Sequence, residues 1–78
     1  MNFDYTKGKR VGYTVSVYNW NGGDRYYFHY LKEAKAFFDK AESGLADGYR
    51  LAMYDERTGE RRAYVKCVNG YKIPVITL

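Results

Sequence analysis

A change of hydrophobic period constrains this chain more than any other feature. From Arg10 to Trp20 the side chains alternate, with Val11, Tyr13, Val15 and Val17 on one side and Gly12, Thr14, Ser16 and Tyr18 on the other. That period of two predicts a half-buried strand. At Leu31 the period changes: Leu31, Ala34, Phe37, Phe38 and Ala41 form one helical stripe, with Lys32, Glu33, Lys35, Asp39, Lys40 and Glu42 outside it. After Gly48 the period of two returns. One helix is therefore bracketed by strands, and its apolar stripe needs a sheet to lie on.

Punctuation completes the plan. Asn21-Gly22-Gly23-Asp24 predicts the turn of a first hairpin, with a second strand from Arg25 to His29 or Tyr30. The helix begins at Leu31 without a favoured capping residue and ends at Gly44, the expected C-terminal cap. Such a helix, about three and a half turns long, is marginal alone and is held by packing. Strand three is read at Tyr49 to Tyr54, with Leu51 and Met53 opposite Arg50, Ala52 and Tyr54. A hairpin loop, Asp55 to Gly59, leads to strand four at Arg61 to Val68, and Asn69-Gly70 to strand five at Tyr71 to Thr77. Pro74 lacks an N–H and places strand five on an edge. The expected fold is α+β: a five-stranded antiparallel sheet, ββαβββ along the chain and 2-1-3-4-5 in space, with one helix on one face.

Seventy-eight residues make one small domain, 1–78, with residues 1–9 as a loosely ordered lead-in. The single Cys excludes an internal disulfide and a Cys-based zinc site, and the stretch from Met1 to Arg10 lacks the apolar region of a secretory leader. No apolar run approaches the roughly 20 residues needed to span a bilayer. The expectation is a cytoplasmic protein without membrane contact. Lys and Arg number 13 against 9 acids, a net charge of +4 divided evenly between the two halves of the chain, so there is no basic tail.

Catalysis has little material. Cys67 is in phase with Ala63 and Val65 and reads as a small core side chain rather than a nucleophile, and His29 reads as a structural residue at the strand-to-helix junction. Asp55, Glu56 and Glu60 flank one hairpin, but turn chemistry accounts for them and their spacing does not fit a calcium loop. No phosphate loop or nucleophile elbow is present. The expectation is no enzyme, no cofactor and no metal.

The informative surface is the sheet face away from the helix. The expected binding face carries Tyr18, Trp20, Arg25, Tyr27, Arg50, Tyr54, Arg62, Tyr64 and Lys66. Rings interleaved with cations suit protein interface anchors, and also single-stranded nucleic acid through stacking and phosphate contacts. The plain alternative is that cross-strand tyrosine pairs stabilise the sheet, by roughly 0.2–1 kcal/mol each, with no ligand at all.

The hairpin, the helix segment YLKEAKAFFDKAE and the strand-and-turn segment GYRLAMYDERTGE together resemble small proteins of phages and other mobile elements, anti-CRISPR proteins among them. The resemblance spans roughly residues 11–68 and has no signature motif that transfers a binding residue. It implies a phage-encoded inhibitor that blocks a host defence complex by steric occlusion. A protein partner is thus the first expectation, nucleic acid the alternative, and the chain itself is a monomer or an edge-paired homodimer.

Overall fold

Five antiparallel strands form one sheet in the order β2-β1-β3-β4-β5, with one helix on one face. The computed structural model describes residues 12–78. The expected strand start at Arg10, the side of Val11 and the lead-in 1–9 lie outside the described residues. The elements are β1 (Tyr13–Asn19), β2 (Gly22–Phe28), α1 (Leu31–Ser43), β3 (Arg50–Asp55), β4 (Arg61–Val68) and β5 (Tyr71–Ile76). The α+β class and the strand order are those the periodicity predicts.

The first hairpin turns two residues earlier than its glycines suggest. Asn19 pairs with Gly22, so Trp20 and Asn21 are the turn, and Gly22, Gly23 and Asp24 already belong to β2. The Asn19 side chain accepts the Asn21 N–H at 2.9 Å, an Asx turn that closes the loop without a second glycine. Gly23 is in the strand for a different reason: it pairs with Tyr18, and a Cβ there would collide with the Val17 carbonyl and the Tyr18 backbone. At the other end Asn69 and Gly70 take positive φ angles of 53° and 81°, the geometry expected of an Asn-Gly hairpin turn.

The helix lies on the face carrying Val15, Leu51, Met53, Ala63, Val65 and Cys67. Ala34 and Phe38 are its fully buried residues, flanked by half-buried Leu31, Phe37 and Ala41. Phe37 packs its ring against Tyr26 at 4.7 Å and Phe28 at 5.3 Å, fixing which side of β2 faces the helix. Val15, Leu51 and Met53 are completely buried, and each such side chain contributes roughly 1.5–3 kcal/mol. Tyr30 stands at the N-cap without a side-chain capping bond, as expected; Gly44 closes the helix at φ −108°, outside the left-handed region expected for a capping glycine.

β5 is an edge strand, exposed along its whole length. Cys67 points both its backbone groups at Gly48 and Tyr49, so the pair Cys67–Lys72 is not hydrogen-bonded. By alternation, Val65–Pro74 is not bonded either, and the N–H that proline lacks falls on the open edge, where it costs no ladder bond.

Candidate functional site

Residues directly opposite one another across antiparallel strands share a face. On the side away from the helix, the register gives three rows running from β2 towards β5. The first is Tyr27, Thr14, Tyr54 and Arg61; the second is Arg25, Ser16, Ala52, Tyr64 and Ile76; the third is Gly23, Tyr18, Arg50, Lys66 and Ile73. Val68 and Tyr71 follow at the β4–β5 turn. Of the expected binding face, Tyr18, Arg25, Tyr27, Arg50, Tyr54, Tyr64 and Lys66 stand on this open side.

Two expected members do not. Trp20 sits in the hairpin turn beyond the end of β1, 90% exposed. Arg62 is displaced by a bulge: Met53 pairs with Ala63 but Tyr54 pairs with Arg61, so β4 holds one extra residue and its phase slips. Arg61 therefore takes the place expected of Arg62, its guanidinium 4.4 Å from the centre of the Tyr64 ring and 5.8 Å from that of Tyr54. Arg62 instead approaches the Asp55 carboxylate, at 3.6 Å. Nothing in the alternation of the sequence signals this slip.

Tyr64 differs from expectation in a second way. It is on the open side yet only 8% exposed, because the Arg61 guanidinium lies over its ring and Tyr18 shares a side-chain hydrogen bond with it. The Tyr18 hydroxyl is pushed above the ordinary tyrosine range by burial, then by that bond and by the neighbouring Tyr64 and Tyr54; Arg61 works against them. Tyr18, Tyr54, Tyr64 and Arg61 are thus a fixed cluster at the centre of the face.

The sequence reading also missed the apolar flank. Val68, Tyr71, Ile73 and Ile76 are exposed and lie together along the β4–β5 side of the open face. β5 is apolar on both sides, so its alternation carries no sign of which residues face the helix. A second bulge, between Tyr64 and Val65, shifts its register again.

On the opposite flank the face sinks into a groove of about 610 Å³ that follows β1. Its floor is Thr14, Ser16 and Gly23, small residues between the taller Tyr18, Tyr54 and Arg25. Asp24, Asp55 and Glu56 also line it. Asp55 is 3% exposed and fully engaged. Its carboxylate accepts the Arg57 N–H at 2.9 Å and lies 3.5 and 3.6 Å from the Arg57 and Arg62 guanidinium groups. Burial alone would raise its pKa; the hydrogen bonds from Arg57 and the charges of Arg57 and Arg62 override this and hold it below the ordinary carboxylate value. Glu56 accepts the Thr14 hydroxyl, while Ser16, 7% exposed, has no side-chain hydrogen bond among the described residues.

Of the other candidates for chemistry, Cys67 is buried in the core under the helix, as expected, whereas the His29 ring, just past the end of β2, stands edge-on to Tyr27 of the open face at 5.3 Å. Among the described residues no three His, Cys, Asp or Glu side chains gather to hold a metal ion, and no helix is long and apolar enough to cross a membrane. Comparison with protein families, curated proteins and solved structures gives no match.

Proposed function

We propose that this protein is a small, non-enzymatic binder that lays its open sheet face on a protein partner and acts by occluding it. The observation that carries the reading is the apolar flank of Val68, Tyr71, Ile73 and Ile76 beside the Tyr–Arg cluster. An apolar and aromatic centre with arginine is the composition of protein interface cores. Arg50, Arg61 and Lys66 suit an acidic rim on that partner. Trp20, standing free at the hairpin tip, is a further anchor of the type that dominates interface energetics. An inhibitor of a host defence complex, encoded by a phage and working in the host cytoplasm, acts in this manner.

Single-stranded nucleic acid is the second reading, favoured by the same cations beside tyrosine rings. Stacking needs a ring face open to a base, and the Tyr64 face is already covered by Arg61. An aliphatic row also offers nothing to phosphates. The test is capture from nuclease-treated host lysate, with Ile73→Asp and, on the outer side of the helix, Lys32→Ala as variants. The account expects a stoichiometric protein that Ile73→Asp loses and Lys32→Ala keeps. Capture that disappears with nuclease, together with oligonucleotide affinity falling steeply with salt, would establish the nucleic-acid reading instead.

A further inference from the structure

The two edges of the sheet differ in what their backbones leave unpaired. β2 and β5 are the edge strands, each with one neighbour. Asn19 and Gly22 close a two-residue hairpin turn, so their pair is hydrogen-bonded, and alternation gives the same to Val17–Asp24 and Val15–Tyr26. The backbone groups of the residues between them, Gly23 and Arg25, therefore point away from the sheet. Neither residue has a backbone partner on that side among the described residues. At the far edge the outward positions of β5 are Lys72 and Pro74, and proline has no N–H to offer. A lysine, a proline and a neighbouring bulge are features that keep an edge from pairing. β2 has no proline and keeps an unbroken register along all seven of its residues.

Charge decides what this edge accepts. Arg25 stands on the open side, opposite Ser16, and Asp24 on the helix side, opposite Val17. Both are exposed, and neither has an ion-pair partner among the described residues. A second copy of the chain fits this edge badly. Antiparallel pairing of two β2 strands about an axis at Asp24 sets carboxylate against carboxylate, and about Arg25 it sets guanidinium against guanidinium. Like charges directly opposite are destabilising. Axes further along leave part of the strand without a partner: with the axis at Tyr26, Gly23 falls opposite His29, past the end of β2. Gly23 itself has no side chain, so the open side is bare there, and a neighbouring strand can lay a ring over it.

We propose that the β2 edge takes an extended segment of the protein partner as a sixth strand, antiparallel to β2. From its amino end the segment sets an acidic residue opposite Arg25, a basic one opposite Asp24 and an aromatic one over Gly23. The Arg25 and Gly23 N–H groups donate to the carbonyls facing them, and their own carbonyls accept the N–H groups of the same two residues. Antiparallel pairing continues the pattern of the sheet and is slightly more stable per residue than parallel pairing. Main-chain bonds of this kind give affinity, and the alternate side chains give specificity. The acidic and aromatic side chains fall on the open side, so the added strand extends the docking face proposed above, and the inference rests on that reading.

The test follows amide chemical shifts and hydrogen exchange of the whole chain with capped peptides. The probe is Thr-Val-Glu-Lys-Tyr-Val-Thr. One control exchanges its Glu and Lys, and a second carries N-methyl groups on Glu and Tyr. In the free chain the Gly23 and Arg25 amides should exchange quickly, and sedimentation should give a monomer. The probe should produce saturable shifts and slowed exchange at these two amides. Exchanging the charges should weaken binding about tenfold or more, and N-methylation, which removes the donors facing Arg25 and Gly23, should abolish it. Arg25→Glu should erase the preference for the probe over the charge-exchanged peptide. Slow exchange at both amides in a free dimer would give the edge to a second copy and overturn the inference. Equal affinity for either control, shifts centred on Lys72, or no saturable shift at Gly23 and Arg25 would overturn it too. The peptides probe the edge without any partner. Their failure with retained Ile73-dependent capture removes the edge alone, whereas loss of that capture removes the docking face.

Discussion

Truncating Phe38 to alanine tests how the helix is held. The helix has thirteen residues, no side-chain N-cap and a glycine end outside the left-handed region, so it has little stability of its own. Only Ala34 and Phe38 are fully buried beneath it, and Ala34 contributes little apolar surface. Phe38 is thus the one large side chain of the helix that is buried outright, with Leu31, Phe37 and Ala41 half-buried around it. Removal of a buried phenylalanine costs about 3–5 kcal/mol. At about 0.05–0.15 kcal/mol per residue, a chain of this length has roughly 4–12 kcal/mol in all. The variant should therefore lose about a quarter or more of its stability, with a fall in Tm of at least about 12 °C. The assay is urea and thermal unfolding followed by far-ultraviolet circular dichroism. Tryptophan emission is the wrong probe, since Trp20 is already solvent-exposed in the folded state. A loss below about 1 kcal/mol would refute the packing argument.

Two further predictions concern the loop end of the face. Arg61→Ala removes the cation over Tyr64 and should cost about 0.5–2 kcal/mol, while Arg62→Ala, losing one of two partners of Asp55, should cost less than about 1 kcal/mol by the same denaturation assay. The reverse order would mean that the bulge is misplaced. Asp55 carries an acid dependence. Its folded pKa is depressed, so above the ordinary value near 4 both states are ionised and its stabilisation is complete. As pH falls below that value the unfolded chain takes up its proton first, and the contribution fades until the folded carboxylate titrates. Asp55→Asn should flatten this acid limb and leave the profile above about pH 5 parallel to that of the native chain; an unchanged acid limb would exclude Asp55 as its source.

Much of the fold was legible because turn chemistry and hydrophobic period agree. Asn69-Gly70, the left-handed Gly59 and the Leu31–Ala41 stripe each mark one structure only, and Pro74 marks an edge. The site was less legible. Alternation assigns faces only while the register is unbroken, and the bulge after Met53 exchanges Arg61 for Arg62 without altering the pattern of residue types. Gly22 and Gly23 drew the first turn forward because a glycine serves equally in a turn and beneath a close neighbour such as Tyr18. Burial of Tyr64 depends on Arg61 folding over it, and the place of Ile76 opposite Tyr64 depends on a second bulge. These are tertiary facts with no period of their own.

The central claim is that the open face, and not the helix side, meets a protein. Site-specific photocrosslinking tests it most directly, with benzoylphenylalanine placed at Ile73 on the open face or at Lys32 on the helix, in nuclease-treated host lysate. The account predicts one discrete protein adduct from Ile73, competed away by unlabelled protein, and none from Lys32. A competed adduct from Lys32 with none from Ile73 would contradict it.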